Sequence, residues 1–286
     1  MRVRSILFLT ALAFAFTALV SAQNKVPENR WAQFETNKIR YYDIGNQKSK
    51  KALVFIHGGG GSADLWRDSY SAFPKYRVIA LDLIGHGNSD KPRTAYTLDY
   101  FAKSVEAVMN AAKVDKAVFV GHSLGMPVAR QFYRMNTKRT LGIVNVDGAI
   151  RLPDRKQFEG FLAAVRADYK KTSAAFLDSM LVTMKDESLK QTIRTTHQLA
   201  PDYVGISLLS EFDNDNLWKT DPIGVPVLAI FAESPWLLPD NETFMRSIAP
   251  NLEYHMWKGT THFFMMEKPK EFNELIRAYI VKNKLL

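Results

Sequence analysis

Residues 117–135 constrain this chain more than any other stretch. A continuous apolar run, Ala117-Val118-Phe119-Val120, leads into Gly121-His122-Ser123-Leu124-Gly125, and a helical pattern follows over residues 126–135. A strand that turns sharply into a helix around a serine has few backbone solutions. The serine takes a strained conformation above the end of the sheet, with its hydroxyl exposed. Glycines flank it because strand and helix pass close together at such a turn. The N–H of Leu124, at the helix start, is then placed to face a developing anion. Five residues alone also describe an ordinary glycine-rich turn, so the reading depends on what the rest of the chain brings to Ser123.

Other apolar runs read as strands buried on both faces, each followed by a polar or glycine-rich segment. Residues 52–56 end in His57-Gly58-Gly59-Gly60-Gly61. Four glycines there permit positive φ and close approach of backbone to a ligand. In that role the N–H of Gly59 would pair with that of Leu124 to bind an oxyanion. Residues 77–81 end in Asp82-Leu83-Ile84-Gly85-His86-Gly87-Asn88-Ser89-Asp90, the composition of a loop held by its own hydrogen bonds. Residues 141–146 stop at Asp147-Gly148. Residues 225–231 run into Ala232-Glu233-Ser234-Pro235-Trp236, and residues 252–257 into Lys258-Gly259-Thr260-Thr261-His262. Two short strands, 31–35 and 38–44, precede these, and helices are expected over 97–113 and 271–282. Alternating strands and helices predict an α/β fold with a doubly wound, mostly parallel sheet. Ligands of such sheets gather at the carboxyl ends of the strands, which brings these segments to one edge.

The pattern changes after residue 150. Phe158, Phe161, Leu162 and Val165, then Phe176, Leu177, Met180, Leu181 and Met184, follow helical spacing with no strand between them. The segment is too long for a simple crossover. The expected organisation is a core of residues 23–150 and 221–286, with a helical cap, 151–220, inserted between two late strands.

The N-terminus carries an address. Arg2 and Arg4 precede an apolar run over residues 6–20, and Val20-Ser21-Ala22 is a small-residue cleavage site. This is the pattern of a signal peptide, residues 1–22, cut after Ala22 to leave Gln23 first. The run is short for a spanning helix, and an uncleaved anchor is the competing reading. A secreted or periplasmic protein is expected, with no stable membrane insertion after cleavage. The chain has no cysteine, which excludes disulfides, a thiolate nucleophile, a thiolate metal site and a lipidated N-terminal cysteine. The net charge of +9 includes Arg2 and Arg4. The basic residues are scattered and do not alternate with aromatics, so they read as a solvated face and no nucleic-acid partner is expected. Neither an H-E-x-x-H cluster nor a dinucleotide fingerprint is present, and no metal or cofactor is expected.

The HGGGG loop, the block from Asp82 to Asp90, the GHSLG turn and the late Gly259-x-x-His262 together resemble the α/β-hydrolase superfamily, over residues 30–282. The resemblance implies a serine, acid, histidine order along the chain. Ser123 is then the nucleophile. His262, after the last strand, is its base, taking the Ser123 proton and passing it to the leaving group. Of the six histidines, His57, His86 and His122 belong to loop motifs, His197 to the cap and His255 to a strand. The acid departs from the pattern. Most members carry an Asp in the loop after the 225–231 strand, and Pro235 stands there. Asp147, where some members carry the acid, is preferred. Glu233 is the alternative and Asp240 a third candidate, while Asp147 before Gly148 also reads as a plain turn residue. A serine at this turn argues against the Asp-nucleophile chemistry of dehalogenases and epoxide hydrolases. The leading expectation is a secreted or periplasmic carboxylesterase that cleaves small to medium apolar esters through an acyl-enzyme. Its partner would be a small ester-like molecule. Lactone or carbon–carbon bond hydrolysis, cofactor-free haloperoxidase chemistry, and a ligand-binding sensor with weak turnover are the alternatives. The fold does not name the substrate, and the oligomeric state is left open.

Overall fold

The central strands carry continuous apolar runs because residues on both faces have a layer to bury them. In strand β3 (Lys51–Ile56), Leu53 and Phe55 face one cluster, and Ala52, Val54 and Ile56 face the other. Strand β5 (Lys116–His122) does the same, with Val118 and Val120 against Ala117 and Phe119. Side chains alternate across a strand, so a run without polar residues requires cover on both faces. Helices α1 (Leu98–Ala111) and α2 (Gly125–Met135) cover one face through Phe101, Val105, Val128 and Phe132. The last long helix covers the other, through Phe272, Ile276 and Tyr279.

The computed structural model describes residues 27–151 and 155–286. The predicted signal peptide and its cleavage point after Ala22 lie outside the described residues. The other strands are β1 (Arg30–Phe34), β2 (Asn37–Gly45), β4 (Arg77–Leu81), β6 (Thr140–Val146), β7 (Val227–Ala232) and β8 (Leu252–Trp257). They form one eight-stranded sheet in the order β1-β2-β4-β3-β5-β6-β7-β8. β1 and β2 are antiparallel, as are β2 and β4, and every later pairing is parallel. The mostly parallel, doubly wound sheet of an α/β fold is thus present.

Among the described residues four α-helices lie between β6 and β7: α3 (Arg155–Ala167), α4 (Tyr169–Leu181), α5 (Glu187–His197) and α6 (Asp202–Glu211). Aspartates start two of them. Asp168 accepts the Lys171 N–H at 3.0 Å, and Asp186 accepts those of Ser188 and Leu189 at 2.9 and 3.1 Å. Leu177, Leu181 and Ile193 join the cluster on one side of the sheet, while Val204 and Leu208 join the other. The four helices therefore sit across the carboxyl edge of the sheet. Helices α7 (Asn241–Ile248) and α8 (Pro269–Lys282) complete the fold. Residues Ala63–Trp66 and Arg67–Tyr70 form a short helical connection that hydrophobic spacing does not predict. Its signal is Ser62, whose Oγ accepts the Asp64 N–H at 3.3 Å. Among the described residues no helix is long and apolar enough to cross a membrane.

Candidate active site

Ser123 stands at the turn between β5 and α2 with φ of 52°, a conformation that costs energy for any residue with a Cβ. The flanking glycines are sterically required. A Cβ on Gly121 would fall 2.4 Å from the Gly125 carbonyl oxygen, and one on Gly125 would fall 2.3 Å from that of Ile56. The Ser123 N–H donates to the Val146 carbonyl at 3.0 Å, which anchors the turn to β6.

Asp147 directly follows β6, the strand beside it, also at positive φ, 51°. Asp147 Oδ2 lies 2.7 Å from His262 Nδ1. Its Oδ1 accepts the Ala232 N–H at 3.0 Å, and its own N–H donates to Ile230 at 2.8 Å. The carboxylate is thus held from β6 and β7 before it meets the imidazole. A carboxylate can only accept, so Nδ1 carries the proton and Nε2 keeps its lone pair. The loop bearing His262 is fixed twice. His122 Nε2 donates to the His262 carbonyl at 2.9 Å. Glu267 Oε2 accepts both the N–H and the hydroxyl of Thr261 at 2.7 Å. The rings of His122 and His262 are 4.5 Å apart. Burial, then the nearby His262, holds the His122 imidazole well below its usual range.

The other two candidate carboxylates are occupied elsewhere. Glu233 has a 60% exposed side chain, with Lys258 Nζ 3.7 Å away. Asp240 forms a paired contact with Arg151, one of its bonds at 3.0 Å. The imidazole contact belongs to Asp147.

The glycine loop is pressed against the serine. A Cβ on Gly58 would fall 2.9 Å from Ser123 Cβ, and the Gly61 N–H closes a turn on the Gly58 carbonyl at 3.0 Å. His57 ties this turn to the next loop: Nδ1 donates to the Gly58 carbonyl at 2.7 Å and Nε2 accepts the Leu83 N–H at 3.0 Å. Burial pushes His57 down to about 4 and His86 to about 3. Both are therefore neutral structural groups, as the loop motifs suggest. Among the described residues, neither the Gly59 N–H nor the Leu124 N–H is donated to a backbone acceptor. Asp82 accepts from Ala63 and Asn88 N–H at 2.7 Å and from Arg40 Nε at 2.6 Å, so it too is structural.

Ser123, Leu124, His262 and the glycine loop form the floor of a cavity of about 140 Å³. The helices between β6 and β7 supply a mostly apolar roof, with Phe161, Phe176, Met180, Leu208 and Phe212 beside Tyr169 and Ser173. His197 also lines it, a residue that the sequence assigns only to the cap. Among the described residues no group of three or more His, Asp or Glu side chains could hold a metal ion.

Comparison with known proteins agrees with the fold. Residues 51–269 match the model of the α/β-hydrolase fold family. The chain is similar to the dihydrolipoyllysine-residue acetyltransferase component of the acetoin cleaving system of Cupriavidus necator, 24% identical over 266 residues. That match covers 88% of this chain and 68% of the relative. A non-heme chloroperoxidase of Streptomyces lividans is 37% identical over 148 residues, 46% of this chain and 53% of that protein. Among solved structures, a thermophilic esterase superposes with a TM-score of 0.71 at 27% identity, covering 90% of this chain and 98% of that one.

Proposed function

The chain belongs to the α/β-hydrolase fold family and is a hydrolase, and we propose that it is a carboxylesterase using Ser123, His262 and Asp147. One observation carries the reading. The Asp147 carboxylate sits on the His262 imidazole at 2.7 Å, and His262 lines the same cavity as Ser123. His262 Nε2 takes the Ser123 proton as Oγ adds to the ester carbonyl. The tetrahedral oxyanion turns toward the N–H groups of Gly59 and Leu124. The intermediate collapses, and the alcohol leaves with the proton from His262. Water, deprotonated by the same imidazole, then splits the acyl-serine to release the acid. Asp147 keeps Nδ1 protonated and stabilises the imidazolium in both halves.

The cavity of about 140 Å³ suits a small to medium acyl or alcohol group; a dry cavity of about 150 Å³ accepts a benzene ring. The apolar roof favours hydrocarbon over charge. We place the mature protein outside the cytoplasm, starting at Gln23, on the pattern of residues 1–22. The test is labelling of the purified mature protein by a fluorophosphonate, with mass spectrometry of its N-terminus. Labelling that disappears in Ser123→Ala supports the reading. A folded wild type that stays unlabelled overturns it.

The likeness to the chloroperoxidase favours a second reading. In it a carboxylic acid acylates Ser123 with loss of water, hydrogen peroxide attacks the acyl-serine to release a peracid, and the peracid oxidises halide as it returns to the acid. Peroxide-dependent halogenation without measurable ester hydrolysis is the result that selects it.

A further inference from the structure

The helices between β6 and β7 lend the cavity three polar side chains that the ester chemistry above does not use, Tyr169, Ser173 and His197. His197 is the last residue of α5, and its ring rests on the glycine loop. A Cβ on Gly60 would fall 2.3 Å from His197 Cδ2 and 3.0 Å from Nε2. Gly60 also has φ of 69°, so glycine serves the turn and the cap contact at once. His197 shares its cavity with Ser123 and His262.

The other histidine rings all have partners. His57, His86 and His122 hold backbone carbonyls, and His255 and His262 hold carboxylates. Among the described residues the His197 ring has no recorded hydrogen bond. Burial lowers its proton affinity, and no charged neighbour opposes this. The ring is therefore neutral at physiological pH, with one N–H donor and one acceptor nitrogen to offer. The residue is half-buried and its ring nitrogens are not sealed from solvent, so a substrate group in the cavity would replace water on them. Phe161, Phe176, Met180 and Leu208 line the roof, and a Cβ on Gly59 would meet only Leu208, at 3.7 Å. His197 is thus a polar point on a largely apolar wall that also carries Tyr169 and Ser173, and it rests on Gly60, one residue along the loop from Gly59.

We propose that His197 is a specificity-determining residue that hydrogen-bonds a second oxygen of the substrate, a hydroxyl or carbonyl near the scissile ester. The substrate class is then oxygen-substituted esters, such as those of hydroxy or oxo acids, rather than plain hydrocarbon esters. This rests on the esterase reading and narrows it. A site built to hydrogen-bond a substrate group discriminates strongly against the analogue that lacks it.

The experiment compares kcat/KM for methyl butyrate with methyl 2-hydroxy-, 3-hydroxy- and 3-oxobutyrate, and for propyl butyrate with 2-hydroxyethyl butyrate. Wild type, His197→Phe and His197→Asn are assayed, with fluorophosphonate labelling as the check on an intact Ser123. Wild type should prefer at least one oxygenated ester by roughly tenfold or more. His197→Phe should bring that ratio to within about twofold of unity, while His197→Asn, which keeps a donor and an acceptor, retains part of it. A purely structural role would lower all substrates together and leave the ratio unchanged. A labelled wild type with no such preference overturns the proposal, as does a labelled His197→Phe that keeps it. An unlabelled wild type removes the esterase reading and this proposal with it.

Discussion

Replacing Asp147 by Asn separates the candidate acids by a predictable amount. The Ala232 N–H points at Asp147 Oδ1 from 3.0 Å. An Asn at 147 must keep its carbonyl oxygen there, because its amide would otherwise meet another donor. Its NH2 group then faces His262 Nδ1, which the carboxylate contacts at 2.7 Å in the native chain. A donor at that place forces Nδ1 to accept, so the ring proton moves to Nε2. The imidazole then presents a proton, not a lone pair, toward Ser123. The same tautomer fault in a serine protease triad costs about 10⁴-fold in kcat. A loss of roughly 10³ to 10⁴ here corresponds to about 4–5.5 kcal/mol of barrier. Asn matches Asp in volume, so the thermal midpoint should hardly move. Glu233→Gln provides the contrast. Its side chain is 60% exposed and its partner is Lys258 at 3.7 Å. Surface pairs of this kind contribute at most about 1 kcal/mol to stability, and Glu233 has no bond to the imidazole. Its rate should stay within about threefold of wild type. The assay is kcat/KM on p-nitrophenyl butyrate, with melting by circular dichroism as the control. If Asp147→Asn keeps more than roughly a tenth of wild-type activity, or Glu233→Gln falls as far, the assignment of the acid is wrong.

Stability should fall on mild acidification. His57 and His86 titrate at about 4 and about 3 in the fold, below the ordinary value near 6.5. The unfolded chain therefore takes up protons first, and stability present above pH 6.5 drains away as pH falls toward the folded values. Each imidazole should cost about 2 kcal/mol by pH 5; equal melting temperatures at pH 7.5 and pH 5 would contradict this. Gly125→Ala should lower stability by about 1–3 kcal/mol or more, because its Cβ would meet the Ile56 carbonyl oxygen, a backbone atom, at 2.3 Å. Gly160→Ala, in α3 with nothing within 4 Å of the new Cβ, should instead stabilise by up to about 1 kcal/mol. Thermal melts of the two variants that shift in the same direction would refute the steric account.

The parts of the site that could be read from the chain are those whose chemistry is local. The GHSLG turn carries its own steric reason, since a Cβ on either Gly121 or Gly125 would fall within 2.4 Å of a backbone oxygen. His262 follows the last strand and needs no partner to be noticed. The choice between Asp147 and Glu233 is different. Both sit at strand ends, and only the pairing of β6 beside β7, with Asp147 N–H on Ile230 and Ala232 N–H on Asp147, decides which carboxylate reaches the imidazole. His197 was harder still. Its contact with Gly60 depends on how α5 docks over the sheet, and helical periodicity cannot report a docking angle. The loop after β7 shows how these facts connect. With Asp147 on His262, that loop need not present a carboxylate to the imidazole, and its sequence Glu233-Ser234-Pro235-Trp236 is free for another use. Trp236 is 54% exposed and meets Phe176 edge-on at 6.3 Å, while the Phe176 ring lies tilted against Phe161 at 5.1 Å. The departure from the usual acid position thus places an aromatic ring of the core against the apolar roof of the cap, at the border of the cavity that holds Ser123.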